Sequence, residues 1–139
     1  MTPVNEADQI TQLLAIARTI AVVGLSDSPL RASYGVAEYL QAHGYRIIPV
    51  NPAVAEALGE KSYATLADIP ATERLDIVDI FRRPEFVPAI VDAALERGNV
   101  GAIWMQDGIV HPEAAAKARQ AGLTVIMDHC LSREHRRRR

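Results

Sequence analysis

Five short apolar runs, each closed by a polar loop with glycine or proline and separated by stretches of helical periodicity, leave this chain very few architectures. The first, TIAVVGLS from Thr19 to Ser26, is β-branched and continuously apolar rather than alternating. Both its faces must be buried, as in a central strand of a parallel sheet. YRIIPVNP (Ile47, Ile48, Val50), Leu75 to Phe81 around Asp76 and Asp79, GAIWM at 101–105 and LTVIM at 123–127 repeat the pattern.

Helical stripes fill the intervals. Ile10, Leu13, Leu14 and Ala17 follow Asn5, a capping residue, and predict a helix over 5–18. Ser33 is placed to cap a second helix with the stripe Val36, Tyr39 and Leu40, and Gly44 marks its end. Pro84 opens a third that runs to Gly98 through Val87, Ile90, Val91 and Ala94, and Pro112 opens a fourth that Gly122 closes. Residues 53–70 are less regular: a short helix near Ala53 to Leu58, a turn at Gly59, an extended piece at Tyr63 and a half-turn before Pro70 are expected. Strict alternation predicts an α/β fold, a doubly wound parallel five-stranded sheet with helices on both faces. Right-handed crossovers then place ligands at the carboxyl ends of the strands, near the point where strand order reverses.

With 139 residues the chain can bury one core but not two, so a single domain over 1–139 is expected. One cysteine excludes an internal disulfide, and Met1 to Asp8 lacks the basic and apolar regions of a signal peptide, so a reducing cytoplasm is the expected location. No apolar run approaches the roughly 18 to 20 residues of a membrane span. Five of the fifteen basic residues fall in the last seven positions, at Arg133 and Arg136 to Arg139. Without interleaved aromatics or a basic helix face, this segment reads as a frayed, solvated tail, and neither a nucleic-acid nor a membrane partner is expected.

The loops at the carboxyl edge carry the polar residues. In GLSDSPLRAS, Gly24 precedes Ser26, Arg31 and Ser33 at the start of a helix, where N–H groups and a partial positive charge suit phosphate oxygens. The spacing departs from GxGxxG, because Ser26 replaces the second glycine and Gly35 comes late for the third. An ordinary strand-to-helix turn accounts for the same residues. NAD-binding folds commonly end the second strand in Asp or Glu, which bonds the ribose hydroxyls. This chain has Val50-Asn51-Pro52 there, an uncharged turn that tolerates a phosphorylated ribose, NADP included.

The segments VVGLSDSPLRAS, GYRIIPVNP, LGEKSY, DIVDIFRRPE, AIWMQDGI and AGLTVIMDHC, in this order, resemble the stand-alone CoA-binding proteins of the YccU type. More distantly they resemble the CoA-binding domain of the succinyl-CoA synthetase α-subunit. The resemblance implies a Rossmann-like fold with coenzyme A, free or acylated, as ligand. It also implies a site. Gly24, Leu25, Ser26, Arg31 and Ser33 would surround the diphosphate, and Pro49, Val50, Asn51 and Pro52 would flank the adenosine. Lys61 would lie near the nucleotide phosphate, with Phe81, Arg82 and Arg83 in the third loop and Met105 and Gln106 in the fourth.

No catalytic or metal constellation is expected. The related synthetases' phosphohistidine domain has no counterpart here, and adjacent His129 and Cys130 point apart on any regular element. His111 reads as a helix cap, His43 as a helix C-terminal residue, and Asp76 and Asp79 as lying on opposite faces of one strand. Cys130 reads as packing, or as a thiol within reach of the coenzyme's own thiol. The rival reading, an NAD(P)-dependent oxidoreductase or another small nucleotide-binding enzyme, rests on fold analogy alone. A binding module with an unidentified protein partner is the third.

Overall fold

The computed structural model describes residues 5–139. Residues 1–4 of the expected single unit lie outside that range. Helix α1 (Glu6–Ile16) is capped by Asn5, whose side chain accepts the Asp8 N–H at 2.8 Å, and leads into β1 (Thr19–Val23). Next come α2 (Ala32–Ala42), β2 (Arg46–Val50) and a small hairpin of β3 (Glu56–Ala57) and β4 (Glu60–Lys61). The chain continues through β5 (Ile77–Ile80), α3 (Val87–Arg97), β6 (Ala102–Met105), α4 (Pro112–Gln120), β7 (Thr124–Ile126) and α5 (Leu131–Arg137).

The main sheet has five parallel strands in the order β2-β1-β5-β6-β7. The chain therefore builds outward from β1 to β2, returns, and continues on the other side. Strand order reverses between β1 and β5, and a ligand cleft belongs at their carboxyl ends. This is the doubly wound, Rossmann-like α/β fold that the alternation predicts.

Successive side chains in each strand serve opposite cores, which explains the continuous apolar runs. Ile20, Val22, Ile47, Ile77, Trp104 and Ile126 pack with Leu13, Leu40 and Leu131 of α1, α2 and α5. Ala21, Val23, Ile48, Val78 and Ile80 pack with Val87, Val91 and Ala118 of α3 and α4. At the amino edge, Asp76 accepts the N–H groups of Arg18 and Thr19 at 2.8 and 2.9 Å and locks the entry to β1. No helix among the described residues is long and apolar enough to cross a membrane.

Several local expectations are corrected by the structure. Residues 53–58 form no helix. Asn51 Oδ1 accepts the Ala53 N–H at 2.9 Å, fixing a turn, and Leu58 and Gly59 take φ of 54° and 76°, which closes the β3–β4 hairpin. Arg31, not Ser33, occupies the N-cap of α2. Pro84 begins a short 3₁₀ turn, Pro84–Phe86, and α3 proper starts at Val87.

The basic segment is not frayed through 137. It forms most of α5, because its charges find partners on the body of the protein. Buried Glu134 accepts from Arg137 at 3.0 Å and Arg138 at 3.1 Å, and Arg138 also donates to Thr11 of α1 at 2.8 Å. Arg133 makes a bidentate pair with Asp107, both bonds at 2.7 Å, which holds the Asp107 carboxyl below the usual range. Leu131 is fully buried beneath these pairs. Leu131→Ala is therefore expected to cost about 2–5 kcal/mol in urea unfolding, whereas a solvated tail would give a change within about 0.5 kcal/mol.

Candidate functional site

The carboxyl edge is organised around Gly24. Its N–H donates to the Val50 carbonyl at 2.8 Å, and one residue earlier Val23 accepts the Phe81 N–H at 2.8 Å, so the ends of β1, β2 and β5 meet. Gly24 has φ of +90°, and a Cβ there would stand 2.5 Å from the Phe81 carbonyl oxygen. Only glycine meets both conditions.

From this point the first loop folds on itself. Leu25 is completely buried and anchors it, while its carbonyl accepts Asn51 Nδ2 at 3.0 Å. The Ser26 N–H donates to Ser33 Oγ at 3.0 Å, and Ser26 Oγ accepts the Ser28 N–H at 3.0 Å. Ser33 thus shapes the loop from inside α2 instead of capping it. Arg31 gives α2 no side-chain cap, so the first turn of the helix opens towards a cavity of about 350 Å³ lined by Gly24, Ser26, Arg31, Ser33 and Phe81, among others.

Two larger cavities flank this one. A cavity of about 450 Å³ is lined by Gly24, Val50, Asn51, Pro52, Thr65 and Arg82, among others. Another, of about 440 Å³, is lined by Phe81, Arg82, Arg83, Gln106, Ile109 and Cys130, among others. Gly24 is common to the first two, Phe81 to the middle and last, and Arg82 to the outer pair. Together they form one trough across the switch point, with mainly apolar ends and a polar, cationic middle. Among the described residues Arg31 and Arg82 have no carboxylate partner, while Arg83 pairs with Glu85 at 3.2 Å. Arg82 rests over the Phe86 ring, 4.2 Å from its centroid.

The residues implied by resemblance separate into distinct environments. Gly24, Ser26, Arg31, Ser33, Val50, Asn51, Pro52, Phe81, Arg82, Arg83 and Gln106 line the trough. Leu25 and Met105 are core residues, fully buried. Pro49 lies within β2, where its carbonyl accepts the Tyr63 N–H at 3.0 Å. Lys61 is exposed on β4, 5.0 Å from the Tyr63 ring centroid, and lines none of the three cavities. Asn51 commits its amide to Leu25 and its side-chain oxygen to Ala53, so it clamps the loop.

Sequence reasoning missed Ala64, Thr65 and Leu66, and also Ala89, Ile90 and Ala93, along the wall of the first cavity. Tyr63 pairs with Val50 and carries 64–66 to the edge, a non-local bridge without a local sequence signature. A legible signal existed only at Thr65, which forms a reciprocal cap with Asp68.

His129 and Cys130 do not form a catalytic pair. His129 Nε2 meets Glu6 at 2.8 Å and its Nδ1 faces Glu134 at 3.7 Å, while Cys130 Sγ lies 3.3 Å from Ser132 Oγ. His111 caps α4 by accepting the Ala114 N–H at 3.1 Å. No cluster among the described residues has the composition of a metal site.

An elongated ligand with anionic groups between two less polar ends fits this trough. The close backbone approach at Gly24, the uncapped helix start and the free guanidinium groups meet its charges, and the apolar ends meet the rest. The CoA binding domain family matches over residues 18–136. Over 127 residues the chain is 42% identical to the uncharacterized protein YneT of Bacillus subtilis, spanning 91% of this chain and 92% of that one. A hypothetical protein from Pyrococcus horikoshii has the same structure with TM-score 0.89 and 34% identity, over 99% of this chain and 98% of its own. The dinucleotide-forming acetyl-coenzyme A synthetase 1 of Ca. Korarchaeum cryptofilum shares the fold at TM-score 0.69 and 24% identity, over 78% of this chain and 25% of that longer one.

Gly24→Ala tests the hub of the trough. The left-handed backbone alone costs an alanine roughly 1–2 kcal/mol, before the contact with Phe81 is relieved. Thermal unfolding should show at least that loss, whereas Gly35→Ala, inside α2 where a Cβ meets nothing within 4 Å, should keep or raise stability, by up to about 1 kcal/mol.

Proposed function

Because the chain belongs to the CoA binding domain family, we propose that it binds coenzyme A along the carboxyl edge of the sheet and carries out no catalysis of its own. The observation that carries this reading is the continuity of the trough through Gly24, Phe81 and Arg82. Coenzyme A is a nucleotide, a diphosphate and an amide-bearing thiol arm in sequence, and the trough offers surroundings of matching polarity in the same order.

In this reading the adenosine lies beside Asn51 and Pro52. The diphosphate faces the Ser26–Ser33 loop, where the uncapped start of α2 and Arg31 supply N–H donors and a fixed cation. Arg82 serves the phosphates from the opposite wall, and Lys61 is a solvent-side cation for the ribose phosphate. The arm runs over Phe81 towards Gln106 and Cys130. With Asn51 tied into the loop, no carboxylate stands at the end of β2 to hold a ribose diol, which disfavours NAD. Acyl-CoA is accommodated if the cavity around Ile109 takes the acyl group.

Calorimetry with coenzyme A, NAD and NADP should give the tightest binding for coenzyme A. Equal or tighter binding of NAD overturns the assignment, and NADP shows how much an extra phosphate contributes. In Arg31→Ala, loss of a charge-assisted hydrogen bond worth about 1.5–3 kcal/mol should weaken coenzyme A binding roughly 10- to 150-fold without lowering the melting temperature. Unchanged affinity in a normally folded variant removes Arg31 from the site.

A further inference from the structure

We propose that Cys130, half-buried at the far end of the trough, is a thiol–disulfide exchange site influenced by the buried carboxyl of Asp79. That the exchange partner is the thiol arm of coenzyme A rests on the function proposed above; the acid–thiol pair does not.

Asp79 has no structural role that explains it. It sits in the middle strand, wholly buried, and among the described residues neither carboxyl oxygen has a hydrogen-bond partner. An orphaned carboxyl in a core costs stability that an apolar residue would not. Its position in β5 puts it on the same face as Ile77, where α2 and α5 pack. Its neighbours in register are Val22 and Trp104.

Trp104 connects this carboxyl to the cysteine. Its Nε1 donates to the His129 carbonyl at 2.9 Å, and the His129 N–H donates to Met105 at 3.3 Å, so the residue before Cys130 is pinned to the strand beside Asp79. Gln106 fixes the other side by accepting the Leu131 N–H at 3.0 Å. Cys130 is half-buried between these anchors and faces the cavity shared with Phe81, Gln106 and Ile109.

The two groups are treated unequally by their surroundings. Burial pushes the Cys130 thiol up, but Ser132 Oγ, the Arg133 N–H and the Gln106 side chain outweigh it and leave the thiol below its ordinary value. For Asp79 burial dominates, and the charge at Cys130 adds to it, so the carboxyl stands well above the usual range. Among the described residues the sulfur has donors and the carboxyl has none, so the surroundings favour ionisation at the thiol and oppose it at Asp79. The other charged groups around the pair are Arg82 and Arg83 on the cavity wall, Asp107 paired with Arg133, and His129 held between Glu6 and Glu134. From α2 the cavity receives only Ala32 and Val36.

The exchange balances as follows. The Cys130 thiolate attacks one sulfur of a coenzyme disulfide, R–S–S–R, forming a Cys130–S–S–R bond as the original S–S bond breaks. The departing R–S⁻ takes a proton from water; the disulfide is the oxidant and Cys130 is oxidised. Asp79 acts as a positioning residue: with ionisation of its buried carboxyl opposed, it adds no second negative charge to disfavour the thiolate.

Three measurements decide it, the first two on protein without ligand. The rate of Cys130 alkylation by iodoacetamide against pH should follow a stretched curve in the parent and a single-proton curve in Asp79→Asn. In Cys130→Ala the Asp79 carboxyl, followed by ¹³C NMR, should titrate lower by about one pH unit, and this arm alone decides the coupling if Asp79→Asn fails to fold. Identical curves together with an unmoved carboxyl overturn the pair. Intact mass after incubation with coenzyme A disulfide should show one adduct, removed by dithiothreitol and absent in Cys130→Ala, at a tenfold lower concentration than cystamine requires. Modification by both disulfides at equal concentration leaves the exchange site standing and overturns the placement of the coenzyme arm. Modification by neither overturns the exchange site.

Discussion

At Gly24 the backbone of the first loop passes within contact distance of the backbone after β5, and most of the ligand edge depends on that approach. The Gly24 N–H is held by Val50 and the Phe81 N–H by Val23, so three strand ends converge on one residue without a side chain. A larger residue would push the β1 and β5 loops apart at the point where strand order reverses. The middle of the trough would then widen, and its two apolar ends would no longer be continuous with it. Close packing transmits such a displacement because core interiors have little free volume to absorb it.

The remainder of the edge is held by side chains that act on backbone groups. Asn51 joins the loops after β1 and β2, Ser33 holds the Ser26 N–H, and Gln106 and Trp104 fix the segment before α5. Each satisfies a main-chain donor or acceptor that the end of a strand or helix would leave open. This gives the cationic side chains a fixed frame while leaving Arg31 and Arg82 without ion-pair partners among the described residues. Arg31 and Arg82 face the trough and Trp104 only shapes it, whereas Asn51, Ser33 and Gln106 do both, lining the trough while bonded inward.

How much of the site could be read in advance follows the same division. Gly24, Ser26, Arg31, Pro52 and Arg82 were legible because they stand at strand ends in loops whose chemistry suits phosphate. Ala89, Ile90 and Ala93 were not, since their helical spacing is satisfied equally by core packing and by lining a cavity. Leu25 and Met105 show the converse: a residue within a ligand motif can serve only the core, and exposure is set by neighbouring helices. Asp79 was visible as a polar residue in an apolar strand, but its isolation and its relation to Cys130 depend on residues 51 positions further along the chain.

Periodicity alone determined the order of strands and helices, the parallel sheet and the edge on which loops gather, because hydrophobic spacing and right-handed crossovers admit little else. It did not determine residues 53–70 or the basic C-terminal segment. There much of the conformation follows from partners distant in sequence: Val50 for Tyr63, Asp107 for Arg133 and Thr11 for Arg138. A local window contains none of these partners. Burial of Glu134, the undercut at Gly24 and the burial of the Asp79 carboxyl were decided by tertiary structure, since each is a property of what packs against the residue rather than of the residue itself.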